Sequence, residues 1–388
     1  MQTQVDASLV ADEKAAPERF DYLDLKAQYA TIREEVAAAI SRVMENQHFI
    51  LGKEVEEFEN EVAAHLEASW TVSCASGSDA LLLALMASGI GPGDEVITSP
   101  FTFFATGGAI ARTGATPVFV DIEPDTFNIA PAQIEAAITP NTRAVVPVHL
   151  FGLPADLDSI KTLAERYSLL IVEDAAQAIG ATYRGKNVGT IGDYGCFSFF
   201  PSKNLGGAGD GGLLTTESRE LAEKLRMLRV HGSKKKYHHE ILGINSRLDA
   251  LQAAILRVKL QYLNSWKEQR RDRAERYRQL FEHHRLLASV RLPCEPDREF
   301  HHVYNQFTVR CAQRDSLRDY LRTLGIPTEV YYPVPLHLQP AFSYLGYVAG
   351  QLPAAEAASR EVLSLPVYPE LREAQQERAV RAIADFYR

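Results

Sequence analysis

Cys196-Phe197-Ser198-Phe199-Phe200-Pro201-Ser202-Lys203-Asn204-Leu205-Gly206-Gly207 carries the chain from an apolar run into a turn-rich loop. The run reads as a buried strand and Pro201 to Gly207 as the loop after it. Lys203 then sits at the edge of a core, where a lysine can lose its proton and form a Schiff base with an aldehyde. A second apolar run, Leu169-Leu170-Ile171-Val172-Glu173-Asp174, ends in two acids. Further runs lie at Thr71–Cys74, Glu95–Thr98, Pro117–Val120, Ala144–Val148 and Gly212–Thr215, with helix-like segments at Asp79–Ser88, Pro131–Ile138 and Leu157–Tyr167 between them. This alternation predicts a largely parallel α/β sheet of seven strands. Ligands gather outside the carboxyl ends of such strands. Lys203 and Asp174 both follow strand ends, so one crevice can hold both.

A phosphate partner is legible upstream. Ser76-Gly77-Ser78-Asp79 has the spacing of a capping box and precedes an apolar helical run. A helix start offers free N–H groups and a positive dipole end to an anion, and Gly77 lets backbone approach closely. A plain capped helix has the same signature. The glycine-rich stretch Gly206 to Gly212 precedes a strand, so it is no dinucleotide loop. Asp174 can keep a pyridine nitrogen protonated. Gln177, three residues on, can bond a ring oxygen, and Phe103 in Pro100-Phe101-Thr102-Phe103-Phe104 can stack on a ring, although core packing is the commoner use of such an aromatic. Aldehyde, ring-nitrogen and phosphate partners together point to pyridoxal 5'-phosphate (PLP).

Bulk properties exclude several classes. The net charge of −9 argues against nucleic acid as a partner. No apolar run approaches membrane-spanning length, and no signal core opens the chain, so a soluble, cytoplasmic protein is expected. Cys74, Cys196, Cys294 and Cys311 are scattered and form neither a disulfide framework nor a zinc site. The adjacent pairs His238-His239, His283-His284 and His301-His302 lack ligand spacing, so no metal is expected. Residues 1–19 read as a flexible lead-in, 20–260 as a large domain and 261–388 as a linking helix with a smaller C-terminal α/β domain. One helical pattern runs from Asn245 to about Arg276.

Four ordered motifs carry a resemblance. They are Glu173-Asp174-Ala175-Ala176-Gln177, Ser198 to Gly206, Gly209-Asp210-Gly211-Gly212, and Gly243 to Ala254. From about Phe20 to the C-terminus the chain resembles the DegT/DnrJ/EryC1/StrS family of PLP-dependent sugar aminotransferases. The resemblance implies the aspartate-aminotransferase-like, type I PLP fold. It further implies that Lys203 forms the imine and shuttles the proton, while Asp174 pairs with the pyridine nitrogen and Gln177 contacts the ring oxygen. Gly77, Ser78 and Ser198 would bind the phosphate, and Phe103 would cover the ring. Asn245 would reach the neighbour's phosphate in a homodimer with shared sites.

For the substrate, the resemblance implies a nucleotide-linked keto-sugar (UDP or dTDP), with L-glutamate as donor and 2-oxoglutarate as its product. The chain is similar to the branches that aminate UDP-2-acetamido-3-oxo-glucuronate and dTDP-3-oxo-6-deoxyhexoses, and a 3-oxo sugar is favoured over a 4-oxo one. Lys234, Tyr237 and His238 belong to a cationic, aromatic stretch suited to a nucleoside diphosphate, and equally to a solvated loop. Arg247 suits a sugar carboxylate, or an ion pair on the long helix. Tyr331-Tyr332 stands where the uronate branch tends to carry His-Tyr. The alternatives are an aminohydroxybenzoate synthase, a sugar dehydratase (whose branch has histidine in place of Lys203) and a non-catalytic regulatory protein.

Overall fold

The computed structural model describes residues 20–294 and 299–388. The predicted flexible segment 1–19 lies outside the described residues. Seven strands build the main sheet: β1 (Trp70–Cys74), β2 (Glu95–Thr98), β3 (Thr116–Phe119), β4 (Thr142–Val146), β5 (Leu170–Asp174), β6 (Tyr194–Ser198) and β7 (Gly212–Thr216). Their order is β1-β7-β6-β5-β4-β2-β3. β7 runs antiparallel to both of its neighbours, and every other pairing is parallel. The carboxyl ends of β1, β5 and β6 therefore share one edge with the start of β7. Register makes this concrete: Gly212 pairs with both Cys74 and Ser198, and Asp174 pairs with Cys196.

Helices α1 (Leu25–Asn46), α2 (Lys53–Leu66), α3 (Gly77–Ala87), α4 (Phe104–Arg112), α5 (Pro131–Ala137), α6 (Leu157–Tyr167), α7 (Arg219–Leu228), α8 (Ala250–Leu260), α9 (Leu263–His283), α10 (Arg314–Thr323), α11 (Pro353–Glu361) and α12 (Glu373–Phe386) complete the framework. Side chains alternate across each strand. Val172 and Cys196 thus pack against α3, α4 and α7 in one core, while Ile171 joins α5 and α6 in another. α3 lies between sheet and helices, so its run Leu81 to Leu85 is buried all round.

The helical pattern expected from Asn245 to about Arg276 is two helices. It starts only at Ala250, breaks at Gln261–Tyr262 and then runs to His283. At the break, Gln261 and Tyr262 donate to Val258 and Lys259 three residues back, which tightens the turn and redirects the axis. The C-terminal third has its own core, in which Tyr277, Phe281, Leu317, Leu321 and Ile383 pack over the antiparallel pair β8 (Phe307–Arg310) and β9 (Val362–Leu365). Among the described residues, no helix is long and apolar enough to cross a membrane.

One buried ion pair ties the N-terminal helices to the sheet. Arg229 Nη1 meets Glu59 Oε1 at 2.5 Å, with side-chain exposures of only 9% and 8%. The same carboxylate accepts from Ser73 N at 2.8 Å and Ser73 Oγ at 2.7 Å. Removing one member strands the other charge in a place water cannot reach. Glu59→Ala is expected to lower the unfolding free energy by about 3 kcal/mol, measured by urea denaturation.

Candidate active site

Ser76 caps α3: its hydroxyl accepts from Asp79 N at 3.1 Å, and its carbonyl accepts from Ala80 N at 2.9 Å. This is the expected cap. The N–H groups of Gly77 and Ser78 lie in the first turn of α3 and have no intrahelical acceptor, the arrangement by which a helix start can take an anion. Gly77 lies so close to Ser198 that a Cβ built on it would stand 2.6 Å from the serine Cβ. Only glycine allows this approach, and the approach brings the Ser198 hydroxyl beside the start of α3. Gly77, Ser78 and Ser198 thus line one cradle.

Asp174 is buried at the end of β5. Its Oδ2 accepts from Thr106 Oγ1 at 2.7 Å, and its Oδ1 from Ala176 N at 3.2 Å. Burial pushes the carboxyl upward; the Thr106 and Ala176 donors and the nearby Lys203 pull it back, and the net direction is up. Lys203 is held by its loop. Its N–H donates to Phe200 O, Gly207 N returns to Phe199 O, and Lys259 Nζ binds Gly206 O at 2.7 Å. Burial drives the Lys203 ammonium down to about 8, and Asp174 opposes that shift. An amine so poised is in part deprotonated at neutral pH, which makes it both a nucleophile and a proton carrier.

The rim is aromatic. Gln177 Oε1 accepts from Phe151 N at 2.6 Å, and Gln177 Nε2 donates to Tyr332 Oη at 3.2 Å. Tyr332 lies 6.3 Å, ring to ring, from Phe103, which is 58% exposed and so presents a free face at the mouth. Tyr331 packs on Tyr332 and Tyr22. Lys203, Asp174, Gln177, Phe103 and Tyr332 gather at this edge, beside the Gly77–Ser198 cradle.

The remaining candidates stand apart. Ser246 Oγ accepts from Ala75 N at 3.1 Å, which fastens the segment carrying Asn245 and Arg247 beside the start of α3. Asn245 itself is exposed. Arg247 precedes α8 and has no carboxylate partner among the described residues, so the ion pair weighed for it on a long helix is not formed. Lys234, Tyr237 and His238 form an exposed hairpin, with Tyr237 under the Lys236 ammonium at 5.2 Å. No hydrogen bond, ion pair or ring contact among the described residues joins that hairpin to the Lys203–Asp174 centre. No group of three or more His, Cys, Asp or Glu among them is placed to hold a metal ion.

Several residues here escaped the sequence reading. Thr106 was unreadable because it touches Asp174 across 68 positions. Ser246 meets Ala75 across 171. Glu173 was legible only as a neighbour of Asp174. It is fully buried, bonds His149 Nε2 at 2.9 Å and accepts from the N–H groups of Gly189, Ile191 and Gly192.

The DegT/DnrJ/EryC1/StrS aminotransferase family model matches residues 30–384, and the chain belongs to that family. A Geobacillus stearothermophilus relative named a pleiotropic regulatory protein is 54% identical over 94% of this chain and 98% of its own. A UDP-N-acetyl-3-dehydro-alpha-D-glucosamine 3-aminotransferase of Acidithiobacillus ferrooxidans is 47% identical, over 93% and 96%. The crystal structure of S. venezuelae DesV in complex with a ketimine intermediate superposes with a TM-score of 0.92 at 48% identity, covering 95% of this chain and 98% of that one. The fold is the type I fold of PLP-dependent aminotransferases, and the chain is a transaminase.

The Lys203 amine gives a direct test. In cofactor-free protein, its acylation rate, followed by peptide mapping, should rise with pH to a midpoint near 8, where exposed lysines titrate near 10.5. Asp174 stabilises the charged amine, so Asp174→Asn should move that midpoint down. An upward move would mean that Asp174 does not stabilise the charged amine.

Proposed function

We propose that this chain transfers the amino group of L-glutamate to a nucleotide-linked keto-sugar, with PLP as cofactor. The single observation that carries the reading is the depressed, buried-edge amine of Lys203 beside the buried carboxylate of Asp174, next to a helix-start cradle. The residues fit the cofactor on structural grounds. Any Cβ at Gly77 would fill the space beside Ser198, so the backbone there is free to face a phosphate. Asp174 keeps lone pairs beyond those taken by Thr106 and Ala176.

When bound, PLP supplies an aldehyde for amines and a ring that accepts electrons from a substrate carbon. Gly77, Ser78 and Ser198 would hold its phosphate, Asp174 its ring nitrogen and Gln177 its ring oxygen. Phe103 and Tyr332 would cover the ring and exclude water from it. Lys203 Nζ would take the proton from the donor's α-carbon and return it to the acceptor's carbon; its affinity near neutral pH suits both directions. Release of 2-oxoglutarate before the sugar enters makes the cycle ping-pong.

On the sugar side, Arg247 offers a guanidinium that has no carboxylate partner among the described residues, and Lys234, Tyr237 and His238 offer charge and rings to a nucleoside diphosphate. The exposure of Asn245 suits a residue that serves a second subunit, which supports a homodimer with shared sites. A 3-oxo sugar is favoured, in keeping with the 3-aminotransferase name of the Acidithiobacillus relative. The Geobacillus relative's regulatory name keeps one alternative specific. A purified chain that stays colourless with added PLP would support that alternative.

The test is a panel of UDP- and dTDP-linked aminosugars run in reverse with 2-oxoglutarate, read by the cofactor spectrum. One aminosugar should give a clean half-reaction, which identifies nucleotide and position together. Lys203→Ala should cut turnover by roughly 1,000-fold or more. Asn245→Ala should weaken cofactor retention while leaving the monomer fold intact.

A further inference from the structure

Two threonines stand behind Asp174. Thr106 Oγ1 has one proton and gives it to Asp174 Oδ2 at 2.7 Å. Thr102 Oγ1 lies 3.0 Å from Thr106 Oγ1. Since the Thr106 proton is already spent on the carboxylate, Thr102 donates in that second bond. The result is a directed chain, Thr102 to Thr106 to Asp174, in which each bond polarises the next. Thr102 and Thr106 are only 3% and 1% exposed, so water does not compete for them.

The platform under this chain is rigid. Thr106 lies in the first turn of α4, whose positive end favours a nearby carboxylate. The next residue, Gly107, packs so closely that a Cβ there would meet Phe342 at 3.0 Å and Phe119 at 3.2 Å. Asp174 Oδ1 is fixed from the other side by Ala176 N. Among the described residues, the other titratable groups whose charge reaches Asp174 include Lys203, His149, Tyr332 and Cys196.

We propose that Thr106, backed by Thr102, is the positioning residue that holds the Asp174 carboxylate ionised and turned toward the ring nitrogen of the cofactor. The proposal rests on the reading that Asp174 faces that nitrogen. Without the hydroxyl, the carboxylate becomes more basic and less constrained. A proton shared with the ring nitrogen then moves onto the acid, and the ring loses the charge that makes it an electron acceptor.

The test uses holoenzyme loaded with PLP carrying nitrogen-15 in the ring, comparing wild type, Thr106→Val, Thr106→Ser, Thr102→Val and Asp174→Asn. Thr106→Val should move the ring-nitrogen signal at neutral pH toward the unprotonated position. It should also weaken cofactor binding roughly 10-fold, the usual loss for one charge-assisted hydrogen bond. Thr106→Ser should restore both to wild type, and Thr102→Val should move both the same way by less. If Asp174→Asn moves the nitrogen signal and Thr106→Val does not, the relay is wrong while the assignment of Asp174 stands. If Asp174→Asn also leaves the signal protonated, both fall. Should Thr106→Val fail to fold, Thr102→Val carries the same readout, and a wild-type signal there overturns the relay.

Discussion

Two adjacent buried acids at the end of β5 are the constraint on which the rest depends. Strand alternation turns Glu173 and Asp174 to opposite faces of the sheet. Burial pushes the Glu173 carboxyl up, but the His149 donor and the backbone N–H groups of Gly192 and Gly189 outweigh it, and the net direction is down. The His149 ring has its Nδ1 occupied as acceptor for Ala155 N at 3.0 Å, so its proton is on Nε2, facing Glu173. Glu173 is thereby a spent, structural anion that binds the turn at residues 189–192 to the strand. Asp174 has fewer donors, ends with its carboxyl raised, and retains bonding capacity toward the crevice. One residue of offset separates an acid whose bonds are all taken up by the fold from one that keeps lone pairs free.

Lys203 depends on this arrangement. A lysine near a buried edge loses charge because water is scarce, and a neighbouring anion restores part of it. Desolvation is the larger effect here, so the amine settles near 8. The main-chain bonds around Phe199 to Gly207 fix where that amine points. The cradle beside it follows from sheet order. Gly212 pairs with both Cys74 and Ser198, so β7 draws the start of α3 and the end of β6 together. A Cβ on Gly212 would stand 2.3 Å from Ser76 O, which makes that position another required close approach.

Much of the fold was legible because its signals are local. Apolar runs of strand length bounded by turn residues placed all seven strands to within about two residues, and the Ser76 cap marked α3. The helix break at Gln261–Tyr262 was not legible. Lys259-Leu260-Gln261-Tyr262-Leu263 contains neither glycine nor proline to mark it; the break is a tightened turn, made by the three-residue bonds of Gln261 and Tyr262. The helix start at Ala250 was not legible either, and it leaves Arg247 ahead of the helix on which an ion pair was the alternative to binding a sugar carboxylate.

By itself, the sequence determined the family, the sheet with its interposed helices, and the chemical identities of the amine, the acid and the helix start. These depend on residue type and short spacing, which the chain carries in one dimension. Tertiary structure alone decided which groups meet: Thr106 with Asp174, Ser246 with Ala75, Tyr332 with Gln177. It also decided the proton affinities, because desolvation is a property of what surrounds a side chain, and those surroundings come from residues tens to hundreds of positions away.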